Sequence, residues 1–131
     1  MTFALDVIRF CSTFPRKQPF YVISGQLIRS ATSVAANYRS ACRAQSMRAF
    51  IAKMSIVEEE ADESEFWLGM VDRLKTRTHA ELERLLVECN AIVAVSVSSK
   101  KTARRAALGK SALVTRHSSL DTGNRTGVAT Q

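Results

Sequence analysis

Apolar residues recur along this chain at spacings of three and four, in four separate runs. The first run, about residues 2–14, places Phe3, Val7, Phe10 and Phe14 on one helical stripe. Pro15 ends it, and Pro19 keeps the connector from continuing as helix. The second run, about Phe20 to Arg43, carries Phe20, Ile23, Leu27, Ala31, Val34, Tyr38 and Cys42 in an unbroken 3-4 rhythm. Ser30, Ser33 and Asn37 border that stripe, where small side chains let a second helix come close. The third run, about Met47 to Lys75 with Ser46 as its N-cap, carries Phe50, Met54, Val57, Ala61, Ser64, Leu68 and Val71. The fourth opens at Thr78 or His79 and carries Leu82, Leu85, Cys89, Ile92, Ser96 and Ser99, widened by Leu86 and Val93. Its helix is expected to end near Ala107.

Four amphipathic helices on short connectors predict an all-α fold, an antiparallel up-down four-helix bundle over residues 1–107. The first helix is about half as long as the others, so part of the groove it should cover stays open unless a neighbouring chain fills it. Residues 108–131 lack periodicity and are rich in Ser, Thr and Gly, and read as a disordered basic tail. With only 5 glycines and 2 prolines in 131 residues, there is too little punctuation for a many-stranded β protein. No apolar run reaches the ~18 residues of a membrane span, and the N-terminus does not resemble a secretion signal. The three cysteines, Cys11, Cys42 and Cys89, form no C-x-x-C pair and sit among apolar residues, which points to a reduced, cytoplasmic chain with inert thiols.

The third helix carries more apolar surface than a monomer needs. A second strip, Ile56, Trp67 and Met70 with Phe66 beside it, also holds Glu60 and Glu63. Ile56, Glu60, Glu63, Trp67 and Met70 are therefore the candidate oligomer interface.

Charge changes the picture further. The net charge is +7, yet residues 1–99 account for only +1 and residues 100–131 for +6. Between Asp6 and Glu58 there is no acid, but eight bases, among them Arg29, Arg39, Arg43 and Arg48. These four, with Lys100, Lys101, Arg104 and Arg105, are the candidate phosphate contacts for RNA or DNA. The competing reading of the four arginines is that they pair with the acids of the third helix, within one chain or between chains. No aromatic residue interleaves with them, so a base-stacking platform is not expected.

The acidic block Glu58–Glu65 invites a metal reading, but a di-iron bundle needs Glu-x-x-His pairs, and neither His79 nor His117 follows a glutamate by three. A magnesium-dependent nucleotide hydrolase needs a second acidic motif, and Glu81, Glu83 and Glu88 do not have its spacing. Ser33 and Asn37 lack a base, and no Gly-rich phosphate loop exists. No catalytic residue, metal or cofactor is expected.

Two long motifs occur in order: Arg29, Ala31, Ser33 and Asn37 as R-x-A-x-S-x-x-x-N, then Phe50, Ile51, Lys53, Ile56, Glu59, Glu60, Glu63, Trp67 and Leu68 as F-I-x-K-x-x-I-x-x-E-E-x-x-E-x-x-x-W-L. Over about residues 3–105 the chain resembles the bacterial four-helix-bundle family named for proteins encoded in ribosomal-RNA intervening sequences. The resemblance implies the bundle and an oligomer. Relatives that serve as accessory proteins of diversity-generating retroelements are basic homopentamers that bind nucleic acid and a reverse transcriptase. The expected partners are therefore a second copy of the chain, RNA or DNA, and a nucleic-acid enzyme such as a reverse transcriptase. An oligomeric protein scaffold with no nucleic-acid role is the alternative.

Overall fold

The computed structural model describes residues 2–74 and 79–121, with side chains omitted at His79 and from Arg116 on. Four α-helices account for it: α1 (Thr2–Ser12), α2 (Phe20–Cys42), α3 (Met47–Arg73) and α4 (His79–Asp121). The connector expected near Lys75–Thr78 lies outside the described residues.

Each helix has a local reason to start or stop. Edge-on contacts from Phe10 to Phe14 (5.0 Å) and from Phe14 to Phe20 (5.8 Å) pin the Pro15–Pro19 turn. Ser46 caps α3, its Oγ accepting from the Ala49 amide at 3.0 Å. The helices pack as a square: α1 and α3 each touch α2 and α4, and the diagonal pairs do not meet. Val7 from α1, Leu27 and Ala31 from α2, Val57, Ala61 and Leu68 from α3, and Leu85 and Cys89 from α4 fill the centre. These are the stripes the periodicity predicts.

The α2–α3 seam is closer than Leu-on-Leu packing would allow. Ser30, Ala31, Ala61 and Ser64 are all fully buried there. Ser30 Oγ and Ser64 Oγ lie 2.8 Å apart across the seam. Each hydroxyl also has a carbonyl acceptor in its own helix, Glu60 O for Ser64 at 2.8 Å and Leu27 O for Ser30 at 3.2 Å, so one can bond its own helix while the other donates across. Two hydroxyls thus satisfy each other where neither can reach water. Asn37, expected on the same border, instead bonds within α2, to Ser33 O (3.0 Å) and Ser33 Oγ (3.1 Å).

Two expectations need adjustment. Tyr38 and Cys42 belong to the α2 stripe by spacing, yet both are exposed, while Ala41 is buried in their stead. The cause is the length of α1. It begins at Thr2, which lies near Val34, so past Val34 the flank of α2 that would face α1 has no partner. Second, α4 runs on to Asp121 rather than ending near Ala107. No proline follows Pro19 to stop it, and Gly109 with Ser111, Ser118 and Ser119 lowers its helix propensity without breaking the backbone pattern. Only the packing ends: every side chain from Arg104 to Thr115 is exposed. Residues 122–131 lie outside the described residues.

Candidate nucleic-acid interface

The eight candidate bases divide by what α3 offers them. Arg29, midway along α2, points to the α3 side and is committed: Nη1 lies 3.2 Å from Glu60 Oε2, and Nη2 pairs with Glu63 Oε1. Glu63 also accepts from Trp67 Nε1 at 3.1 Å. The guanidinium, helped by that indole N–H, holds the Glu63 carboxyl below its usual range. Glu63 in turn raises the Arg29 guanidinium further. The acids of the expected interface thus meet an arginine of α2 within the same chain. Lys100 is also committed. Its ammonium is mostly buried, pairs with Glu58 and donates to Ser55 Oγ at 3.3 Å.

The other six, Arg39, Arg43, Arg48, Lys101, Arg104 and Arg105, are exposed and form no ion pair with a described residue. The fold gathers them from three helices at one end. Arg39 and Arg43 are at the C-terminus of α2, and Arg48 is in the first turn of α3. Lys101, Arg104 and Arg105 are on the stretch of α4 that packs beside Met47 and Phe50. No acid falls between Asp6 and Glu58 or between Glu88 and Asp121, so this end carries one sign of charge. Lys110, exposed on the projecting part of α4, extends the same field. The C-terminal dipole of α2 favours the cation at Arg39.

The candidate oligomer strip is partly absorbed into the fold. Trp67 packs against the core and stacks edge-on to Phe66 at 5.1 Å. Ile56 is half-buried, while Phe66 and Met70 remain exposed. Phe66, noted only as a neighbour of the strip, is its most open large side chain at 59%.

Residues 1–98 match the family of 23S rRNA-intervening sequence proteins. The chain belongs to that family. The matched stretch includes Arg39, Arg43 and Arg48 and stops short of Lys101, Arg104 and Arg105, so half of the basic end lies beyond it. A crystal structure of a protein of unknown function from the S23 ribosomal protein family of Bacteroides thetaiotaomicron is similar in fold and sequence. It is 33% identical with a TM-score of 0.70, and the match covers 76% of this chain and 93% of that one. No curated protein matches the chain.

Among the described residues no three of His, Cys, Asp and Glu gather to hold a metal. Burial pushes the thiols of Cys11 and Cys89 up to about 12, which keeps them protonated and unreactive. Cys42, expected to be packed away, is exposed and raises the Tyr38 phenol beside it. Among the described residues no helix is long and apolar enough to cross a membrane.

Beyond the start of α1, an apolar trough runs between α2 and α4 with α3 as its floor. Its volume is about 370 Å³, and it is lined by Val34, Ala35 and Tyr38 from α2, Met54 and Val57 from α3, and Ala91 and Val95 from α4. A separate hollow of about 400 Å³ lies between α3 and α4 on the next turns of α4, lined by Met47, Phe50, Ser98, Thr102 and Ala106. The groove expected from the short first helix is present, and it opens at the basic end.

Proposed function

We propose that the protein is a non-enzymatic, homo-oligomeric bundle that binds nucleic acid through its basic end. The observation that carries this reading is the set of six exposed bases, Arg39, Arg43, Arg48, Lys101, Arg104 and Arg105. They come from three helices to one end with no acid among them. Phosphate contacts of this kind are sequence-tolerant and weaken as counterions compete. In an oligomer the cluster repeats, and weak contacts add through multivalency. Exposed Phe66 and Met70 support self-association, and the family resemblance favours five copies.

Titration of a fluorescent single-stranded RNA with the full chain at several salt concentrations tests the reading. Binding that falls steeply with salt is the expected result. Substitution of all six bases by Gln should abolish it, whereas Arg29→Gln should leave it nearly unchanged, because that guanidinium is engaged by Glu60 and Glu63. Absence of binding at low salt overturns the nucleic-acid reading and leaves a protein scaffold. Light scattering that returns the 14.5 kDa of one chain overturns the oligomer.

A further inference from the structure

The trough is a missing piece of a helix bundle. α1 starts beside Val34, so the last turns of α2, roughly two turns or about 12 Å, have no α1 opposite them. The floor and walls are those of a helix-binding groove. Val34, Met54 and Val57 are buried at the base, while Tyr38 and Val95 stand half-exposed on the two walls. Ala35 and Ala91 leave room for larger side chains from an occupant.

The rims are charged, and alike. Arg39 lies four residues after Ala35 and so borders the α2 wall. Arg105 lies three after Thr102 and seven after Ser98 and so borders the hollow that follows on α4. Neither is in an ion pair with a described residue. Arg43 stands at the open mouth, at the C-terminus of α2. The one acid that lines the trough, Glu88, is at the end nearest α1 and is held by Arg84 at 3.3 Å.

We propose that the trough is a docking site for an amphipathic helix of a partner protein. That helix spans at least two turns, with an apolar stripe facing the floor and acidic residues on its flanks. Helix-in-groove recognition supplies the affinity from the apolar anchors. The arginine rims supply the sign selection. The same charge argues against the chain's own spare helix as occupant. The projecting end of α4 carries Arg104, Arg105, Lys110 and Arg116 against a single Asp121, and two basic rims would repel it in a second copy. The inference rests on the apolar trough, which nucleic-acid binding does not need, although Arg39 and Arg105 belong to both surfaces.

The test uses the full chain and two labelled synthetic helical peptides of about fifteen residues, with one leucine stripe and either Glu or Lys at the flanking positions. Fluorescence anisotropy should show the Glu peptide binding at least ~tenfold tighter than the Lys peptide. Ala35→Trp, which fills the trough from a half-exposed position, should weaken the Glu peptide by ~tenfold or more while RNA binding persists. Val95→Glu, at an exposed wall position that the fold does not depend on, should weaken it too. The double variant Arg39→Glu/Arg105→Glu should reverse the preference between peptides. Equal binding of the two peptides overturns the proposal. Binding of the Glu peptide that Ala35→Trp leaves intact does so as well, because the bases alone would then account for it. If Ala35→Trp lowers the mass measured by light scattering, a second copy occupies the trough and the proposal also falls.

Discussion

The two ends of this bundle are built from the same four stripes and end up unlike. At the end where α1 lies, four helices surround the core, and the surface charges cancel. Arg84 on α4 reaches Asp6 on α1 at 3.1 Å and also pairs with Glu81 and Glu88 on its own helix. Glu81 and then Asp6 raise its guanidinium above the usual range, and Arg84 holds the Glu81 carboxyl below its own. At the other end three helices surround the core, a trough stays open, and six bases face solvent without an acid. A bundle stops closing where one helix runs out, and the residues with no packing duty there are the ones available for a partner. Closed packing and unpaired charge are thus laid out at opposite ends of the same helices.

If that division holds, truncation at the closed end should cost most. Phe10 is buried in the core, and Phe10→Ala should destabilise the fold by about 3–5 kcal/mol. Val95→Ala, at a wall of the open trough, should cost less than about 1 kcal/mol. Urea denaturation followed by circular dichroism measures both, and similar losses would erase the distinction between the ends.

The next effect is on binding alone. Arg104→Gln/Arg105→Gln should reduce the slope of log affinity against log salt by about two, one for each phosphate left without its cation. The midpoint of thermal unfolding should stay within error, because both side chains are exposed and unpaired among the described residues. Parallel loss of stability would mean that these arginines belong to the packed part.

The seam that runs through both ends offers a sharper measure. Ser64→Ala removes the hydroxyl that Ser30 meets at 2.8 Å in a fully buried site, and should cost about 1–3 kcal/mol. Ser30→Ala/Ser64→Ala should cost less than the sum of the two single changes, because neither partner is then orphaned. Strict additivity in that cycle would show that the two hydroxyls do not depend on each other.

The smallest effect is electrostatic. The carboxyl of Glu63 sits below its ordinary range because Arg29 binds the charged form. A depressed carboxyl adds stability that is fully present above its unfolded-state range and is lost as pH falls through the folded value. Acid titration of stability should therefore decline less steeply in Glu63→Gln than in the parent chain. The difference should be modest, since the pair is solvent-screened. Identical acid profiles would remove Arg29 as a stabilising partner and return it to the pool of bases open to phosphate.

Much of this architecture was legible before folding. Helix number, the Pro15 stop, the Ser46 cap and the close serine–alanine seam all follow from local spacing and residue type, which act within a few turns. The open groove was also legible, because it needs only a comparison of helix lengths. The fate of Tyr38 and Cys42 was not. Their spacing places them on a core stripe, but burial depends on whether a second helix arrives opposite, and α1 does not reach that far. The end of α4 was misplaced for the converse reason: loss of an apolar stripe marks where packing ends, whereas the helix itself persists until something breaks its backbone pattern.

The division of the arginines belongs wholly to tertiary structure. Arg29, Arg39, Arg43 and Arg48 are equivalent in sequence, four bases in an acid-free stretch that faces a block of six acids further on. The sequence by itself determined that bases and acids would be segregated and that four helices would bring some of them together. Which base met which acid was decided by the side of α2 each one occupies and by the height at which α3 passes it. Arg29 faces Glu60 and Glu63 across the seam, while Arg39 and Arg43 lie toward the N-terminal turns of α3, which precede its first acid, Glu58. An ion pair acts over a few ångströms, so only the packed helices could assign one arginine to the fold and leave the others to the open end.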